Sequence, residues 1–291
     1  MNKLRALLFA AILISLFSCE KEYSVENNGG GSDLIVGLDC RISKIVYTDT
    51  AGTSMGGPGT GLGSIDAEID NLDIVAKIMQ YDSLSSTIVF NPVPVYRNDS
   101  VYINSEEYFI VDANKRITKM HGLVDPTDAS SLQFDVFYLY NAGGYLVTKT
   151  YFLVSSPTIP FYKVDYTYGG GGNLVHMTAV NLPSGELQMD ADLTYFNLVV
   201  PKRYIYIFPD EVNYAPFTQF FNFGTRNFNA VKDMKVRNYD PGNVVRDSIV
   251  STFSNYSMSN DTYILSVQMG GDDQPSIPAL AGKLRFSYHC K

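Results

Sequence analysis

The chain has 291 residues with a net charge of −8, 45% hydrophobic residues, and an aromatic load of 21 Tyr and 17 Phe without Trp. That length supports one large domain or two modest ones with proper cores, and the acidic balance excludes a typical nucleic-acid partner, whose phosphates select basic surfaces. Three cysteines in the whole sequence exclude a disulfide-stapled miniprotein.

Lys3 and Arg5 precede an apolar run from Leu7 to Phe17, and Ser18-Cys19 follow directly. A basic start, a short apolar core and a small residue before a cysteine form the layout of a bacterial lipoprotein signal peptide, too short for a comfortable membrane span. Residues 1–18 are therefore expected to be removed, and Cys19 is expected to carry the lipid as the new first residue. Each buried methylene contributes roughly 0.8 kcal/mol, so two or three palmitate-like chains attach the protein firmly to a membrane. Loss of Lys3 and Arg5 leaves 20 basic against 30 acidic residues. No later stretch approaches the length of a membrane span, so the lipid is the sole expected anchor and the folded part is expected to sit in water.

Residues 19–33 are polar and glycine-rich, from Glu20-Lys21-Glu22 to Gly29-Gly30-Gly31-Ser32, the composition of a flexible tether with a reach of roughly 20 Å. The acidic residues behind Cys19 resemble the surface-export signals of Bacteroidota lipoproteins. The remaining cysteines, Cys40 and Cys290, lie near the two ends of the folded part in strand-like text. Two readings stay open for them: a pair of buried free thiols, or a disulfide. A bridge closing so long a loop contributes on the order of 5 kcal/mol on the chain-entropy model, and it requires the first and last strands to be neighbours.

From Ala67 to about Met177 a pattern recurs around the turn residues Asp70, Asp112, Asn141 and Gly169, at spacings of 42, 29 and 28 residues. Three residues before each turn residue stand Ala67, Phe109, Tyr138 and Tyr166; one before it, Ile69, Val111, Tyr140 and Tyr168. Five after it come Val75, Ile117, Leu146 and Leu174, and seven after it Lys77, Lys119, Thr148 and His176. The intervening Ala113-Asn114, Ala142-Gly143-Gly144 and Gly170-Gly171-Gly172-Asn173 tolerate positive φ, so each unit reads as a β-hairpin. A looser echo occurs with Asp240 as turn residue and Val245 five later. Helical spacing of Ile65, Ile69, Leu72 and Ala76 is explained better by the first hairpin.

At these residues the chain resembles the YD hairpin repeats of RHS-type proteins, with irregular spacing and without the paired Tyr-Asp at most turns. The whole layout also looks like a group of Bacteroidota envelope lipoproteins that brings no established activity with it. The resemblance covers residues 40–200 approximately and implies a curved sheet of hairpins.

Between Pro209 and Lys235 the pattern lapses into an aromatic insert with Tyr214, Phe217, Phe220, Phe221, Phe223 and Phe228. So many aromatics do not sit in a solvated loop: they either plug the open end of a curved sheet or line a ligand site. Strand-like text returns at Tyr263–Val267 and Leu284–Tyr288.

Catalytic signatures are absent from this reading. The glycine run Gly56–Gly63 lacks the Lys-Ser/Thr and βαβ context of a phosphate loop, and no Gly-x-Ser-x-Gly elbow accompanies the dispersed His121, His176 and His289. His176 occupies a repeat slot and reads as a strand-surface residue. Asp66, Glu68 and Asp70 alternate along a strand, and Gly270-Gly271-Asp272-Asp273 forms an acidic turn; both read as solvated acidic surface rather than calcium loops. Separated histidines and distant cysteines offer no zinc site.

The expectation is an all-β fold, a curved antiparallel meander of hairpins forming an open roll or incomplete barrel, with the aromatic insert and the C-terminal strands covering its ends. Residues 34–208 form the hairpin region, and residues 209–291 the insert and last strands of the same domain. The expected function is that of a non-enzymatic, cofactor-free outer-membrane lipoprotein at the cell surface or periplasmic face, which binds a protein or glycan partner. The alternative is a carrier holding an apolar ligand among Phe109, Tyr138, Tyr166 and Phe221, and the two readings differ in whether those rings surround a void or a filled core.

Overall fold

The computed structural model describes residues 40–48, 64–69, 75–81, 88–90, 93–123, 131–200, 206–210, 219–259, 263–271 and 282–290. The expected signal peptide, Cys19, the tether, the Gly56–Gly63 run, Asp70, Tyr214, Phe217, Asp272 and Asp273 lie outside them, as do the side chains of Asp66 and Glu68.

The strands in chain order are β1 (Cys40–Thr48), β2 (Ser64–Ile69), β3 (Val75–Tyr81), β4 (Ile88–Phe90), β5 (Val95–Arg97), β6 (Ser100–Tyr102), β7 (Tyr108–Val111), β8 (Ile117–Leu123) and β9 (Gln133–Tyr140). There follow β10 (Leu146–Leu153), β11 (Pro160–Tyr168), β12 (Leu174–Asn181), β13 (Leu187–Val199), β14 (Asn229–Asp240), β15 (Val244–Met258), β16 (Ile264–Gly271) and β17 (Gly282–Cys290). All belong to one antiparallel sheet, each strand pairing with its successor except β4 with β5. In addition β1 pairs with β17. The ladder therefore runs from β5 through β17 and β1 to β4, whose last residue, Phe90, is five residues before Val95. Five backbone steps span at most about 18 Å, so the sheet curls until its two edges nearly meet. The result is the incomplete barrel that the hairpin text implies.

The hairpin repeat has a single backbone geometry. In β7–β8, β9–β10 and β11–β12 the amide of the turn residue bonds the carbonyl four residues on, and its carbonyl accepts from the amide three on (Lys115, Gly144 and Gly172). Those same three residues have φ of 60°, 78° and 74°, the type I turn with a left-handed closing residue common in short hairpin loops. The sequence suggests positive φ within Ala113-Asn114; the structure places it on Lys115. The registers share a second feature: the residue before the turn residue faces the one five after it, but the residue two before faces the one seven after. A bulge thus falls six residues after the turn residue, at Ala76, Thr118, Val147, Val175 and Arg246. It reverses the pleat, so that Ile117, Leu146 and Leu174 are buried inside while Lys119, Thr148 and His176 point out.

The echo at Asp240 shares this register and a left-handed Asn243, yet Val245 is 49% exposed. Its turn lies at the opposite rim. A hairpin of fixed handedness, used at the other rim of a sheet that winds one way round, must present its opposite face to the interior. Val245 and Tyr239 accordingly face outward, unlike their counterparts in the other hairpins.

The core lies on the concave side, where Phe109, Tyr138, Tyr166, Val136, Val164, Met177, Leu193, Val236, Phe253 and Phe286 meet. The segment between β13 and β14 turns into this space, burying Tyr206, Phe208, Phe220, Phe221 and Phe223. Its described aromatic side chains pack inside the curved sheet, as the plug reading expects. The C-terminal strands β15–β17 belong to the wall and do not cover an end. Cys40 and Cys290 stand directly opposite in the β1–β17 register.

Candidate binding surface

The four aromatic residues singled out for a ligand converge on the plug. Phe109 lies 5.3 Å from Phe221 and 5.9 Å from Phe223, Tyr138 lies 5.5 Å from Phe223, and Tyr166 lies 5.4 Å from Phe208, ring centre to ring centre. These are packing distances, so the described rings are in contact with one another as in a core.

The plug is fixed by polar bonds at two levels. Deep inside, Lys149, 1% exposed, places its ammonium 3.1 Å from Asp210 Oδ2 and 4.8 Å from the Phe208 ring, while Tyr166 donates to Asp210 Oδ1 at 2.6 Å. Tyr162, facing the same cluster, has its phenol pushed up to about 12, chiefly by burial and secondarily by the Asp210 carboxylate. At the rim, residues 222–229 form a strap across the three repeat turns. Ile117 donates its amide to the Asn222 carbonyl at 2.9 Å, Thr225 donates to the Gly144 carbonyl at 2.9 Å, and Asn227 Oδ1 accepts from Leu174 at 2.9 Å. Asn173 Oδ1 then accepts from both Phe228 and Asn229 at 2.8 Å. Each hairpin turn meets the strap about once every three residues.

The tyrosine richness has a local explanation. Tyr140 and Tyr195 donate at 2.6 Å to the carbonyls of Ile117 and Leu174, the residues just before the bulges, and Tyr256 and Tyr288 donate to Val231 at 2.7 Å and Ile264 at 2.6 Å. Burial pushes the phenols of Tyr140, Tyr195 and Tyr288 well above their ordinary range, keeping them neutral donors. These hydroxyls are engaged by the wall's own backbone.

The outer face carries the remaining chemistry. Across β6, β7, β8 and β9, Tyr102, Tyr108, His121 and Asp135 stand opposite one another in turn. The Tyr102 and Tyr108 rings are 5.2 Å apart, Tyr108 stacks on His121 at 4.9 Å, and His121 Nδ1 is 2.8 Å from Asp135 Oδ1. Arg97 lies over the Tyr102 ring at 5.1 Å, and Lys119 reaches Asp135 Oδ2 at 2.9 Å and the Phe137 ring at 5.4 Å. Further round the wall, His176 bonds Asp192 at 2.8 Å and Arg237 bridges Asp190 and Asp192 at 2.5 Å each. Burial raises the Asp192 carboxyl, but hydrogen bonds from Arg237 and His176 outweigh it and hold the group below the usual range. His176 is thus the strand-surface residue its repeat slot implied. The row from Tyr102 to Asp135 escaped sequence reading because Tyr102 and Tyr108 fall before the turn-centred pattern; only their place opposite His121 joins them.

A shallow hollow of about 460 Å³ opens at the plugged rim between Asn141, Tyr145, Tyr168, Gly169–Gly172 and Phe228. It lies beside the strap and is open to solvent. Among the described residues no three histidine, cysteine or acidic side chains gather as metal ligands.

No family model and no curated protein matches the sequence. Among solved structures, the chain is similar to a porin-like protein from Bacteroides uniformis, at 9% identity and a TM-score of 0.57, over 85% of this chain and 98% of that one. A porin-like protein from Bacteroides vulgatus aligns over 86% and 99% at 11% identity with a TM-score of 0.48. At such identities the likeness concerns the all-β fold.

Proposed function

We propose that this chain is a non-catalytic, lipid-anchored envelope lipoprotein of the outer membrane, at the cell surface or periplasmic face, that binds a protein or glycan partner through the outer face of its barrel. The observation that carries the reading is the division of the wall. Its concave side is mainly apolar, encloses the Lys149–Asp210 pair and packs against the plug, while its convex side bears Lys119, His121, Asp135, His176, Asp192 and Arg237 joined in cross-strand pairs, and Lys163 and Asp165 paired along β11. A membrane-spanning pore needs the reverse, an apolar outer band and a polar lumen. A wall of this polarity works in water, and membrane attachment falls to the lipid on Cys19.

The stacked Tyr102, Tyr108 and His121, flanked by Arg97, Lys119 and Asp135, supply flat rings beside charged groups, the means by which a protein surface holds a sugar ring or a partner's side chains. The packed contacts of Phe109, Tyr138, Tyr166 and Phe221 favour this over the carrier reading. The similarity to YD-type repeats then describes how the wall is built.

Two measurements test the proposal. Radiolabelled palmitate fed to expressing cells should enter the protein and be lost with Cys19→Ala; an unlabelled native chain rejects the lipid anchor. Purified protein should bind components of the cell envelope on a glycan array or in a cross-linking pull-down, with binding reduced at least tenfold in Tyr108→Ala. A stoichiometric lipid retained in native mass spectrometry would instead establish the carrier.

A further inference from the structure

We propose that Cys40 and Cys290 join in a disulfide under oxidising conditions, welding the first strand of the barrel to the last. The two residues are direct partners in the antiparallel β1–β17 register. Directly opposed residues in an antiparallel pair have Cα atoms about 4.5 or 5.5 Å apart, depending on whether the pair is hydrogen-bonded. Both values fall within the roughly 4.4–6.8 Å that a disulfide spans. A one-residue slip would set the two side chains on opposite faces of the sheet, so the register itself is the evidence.

The position also gives the bond a role. Cys40 is the first residue of β1 and Cys290 the last of β17, so the pair sits at the very end of a ladder that continues through Arg41↔His289 and Ile42↔Tyr288 and is interrupted by a bulge before Lys44. Ladder ends open first, and a bulge behind them weakens the pairing that would close them again. Among the described residues this seam is the one strand pairing that joins β1–β4 to the C-terminal strands; once it opens, the barrel can uncurl. Cys40 is also the described residue nearest in sequence to Cys19, the expected lipid site. A pull on the lipid anchor therefore acts on the β1–β17 ladder from its open end, where hydrogen bonds would yield one at a time, and the bond passes that pull to β17 as well. This last role rests on the lipid-anchor reading; the pairing does not.

The chemistry balances by thiol–disulfide exchange. One cysteine thiolate attacks the disulfide of a dithiol oxidoreductase or of oxidised glutathione, expelling one thiol. The second cysteine attacks the mixed disulfide, expelling the other, so two protons and two electrons leave the pair and the oxidant becomes two thiols.

The full chain is purified, reduced while folded, equilibrated in a glutathione redox buffer, alkylated and digested. The expected result is a single linked peptide pair containing Cys40 and Cys290, with Cys19 absent from it. A folded protein in which both residues are alkylated, or in which each carries glutathione, overturns the inference. As a second readout, Cys40→Ser and Cys290→Ser should each lower the urea midpoint of the oxidised protein by the same amount, and the double variant by no more than either; additive losses overturn the inference. Linkage in the redox buffer with alkylatable thiols in intact cells supports the pairing and counts against the envelope location instead.

Discussion

Lys115 holds a left-handed conformation, φ 60°, where the sister hairpins carry Gly144 and Gly172. An L side chain there costs roughly 1–2 kcal/mol, against about 0.4–1 kcal/mol of unfolded-chain freedom that glycine adds. Lys115→Gly should raise stability by about 0.5–1 kcal/mol, read as a higher urea midpoint at unchanged slope. Gly224 is the opposite case. Its φ is 91° and a Cβ would collide with the Gly144 carbonyl and the Tyr140 ring, so Gly224→Ala should cost about 2–3 kcal/mol in the same measurement. Lys149 is a buried cation whose carboxylate partner, Asp210, is buried too. Lys149→Met strands that carboxylate and should cost about 3–5 kcal/mol, whereas Lys149→Met with Asp210→Asn should recover most of the loss. Asp192, half exposed, contributes less. Its carboxyl is held below its unfolded value, so its stabilisation is present above pH ~4 and lost as pH falls through the folded value. Asp192→Asn should therefore lower stability by about 1 kcal/mol or less near neutrality, with the difference from the parent protein shrinking in acid denaturation curves as the folded carboxyl is protonated.

At the scale of elements, the strap and the plug divide the insert between them. Phe223 touches Phe109, Tyr138 and Tyr206 and is buried, while Phe228 is 40% exposed on the strap. Phe223→Ala should cost about 3–5 kcal/mol and Phe228→Ala about 0.5 kcal/mol or less, a contrast that thermal unfolding resolves. The hairpins themselves were legible because turn and core residues recur at fixed offsets: Phe109, Tyr138 and Tyr166 before the turn, Ile117, Leu146 and Leu174 after it, all buried. The bulges were not. Alternation alone puts the residues five and seven after the turn on one face, and nothing in Thr118, Val147 or Val175 announces the extra residue that separates them. Hence Lys149, polar by composition, gave no sign of being inside. The inverted hairpin at Asp240 was illegible for a different reason, since its orientation depends on which rim it occupies, a property of the whole winding.

At the scale of the molecule, composition and hairpin text convey a curved meander, but the row of Tyr102, Tyr108, His121 and Asp135 does not emerge, because these residues are joined only through the order of strands around the wall. The strap has a consequence in time. The bonds that hold it reach back 82 residues from Thr225 to Gly143 and 108 from Asn222 to Asn114. Hairpins built on neighbouring strands form in microseconds, whereas contacts this distant wait for slow loop closure. During synthesis or export, the three hairpins at residues 108–181 can therefore exist for seconds with their apolar face bare before residues 219–229 arrive. Over that interval the bare face is open to association with other chains, and the strap's arrival is the event that closes it.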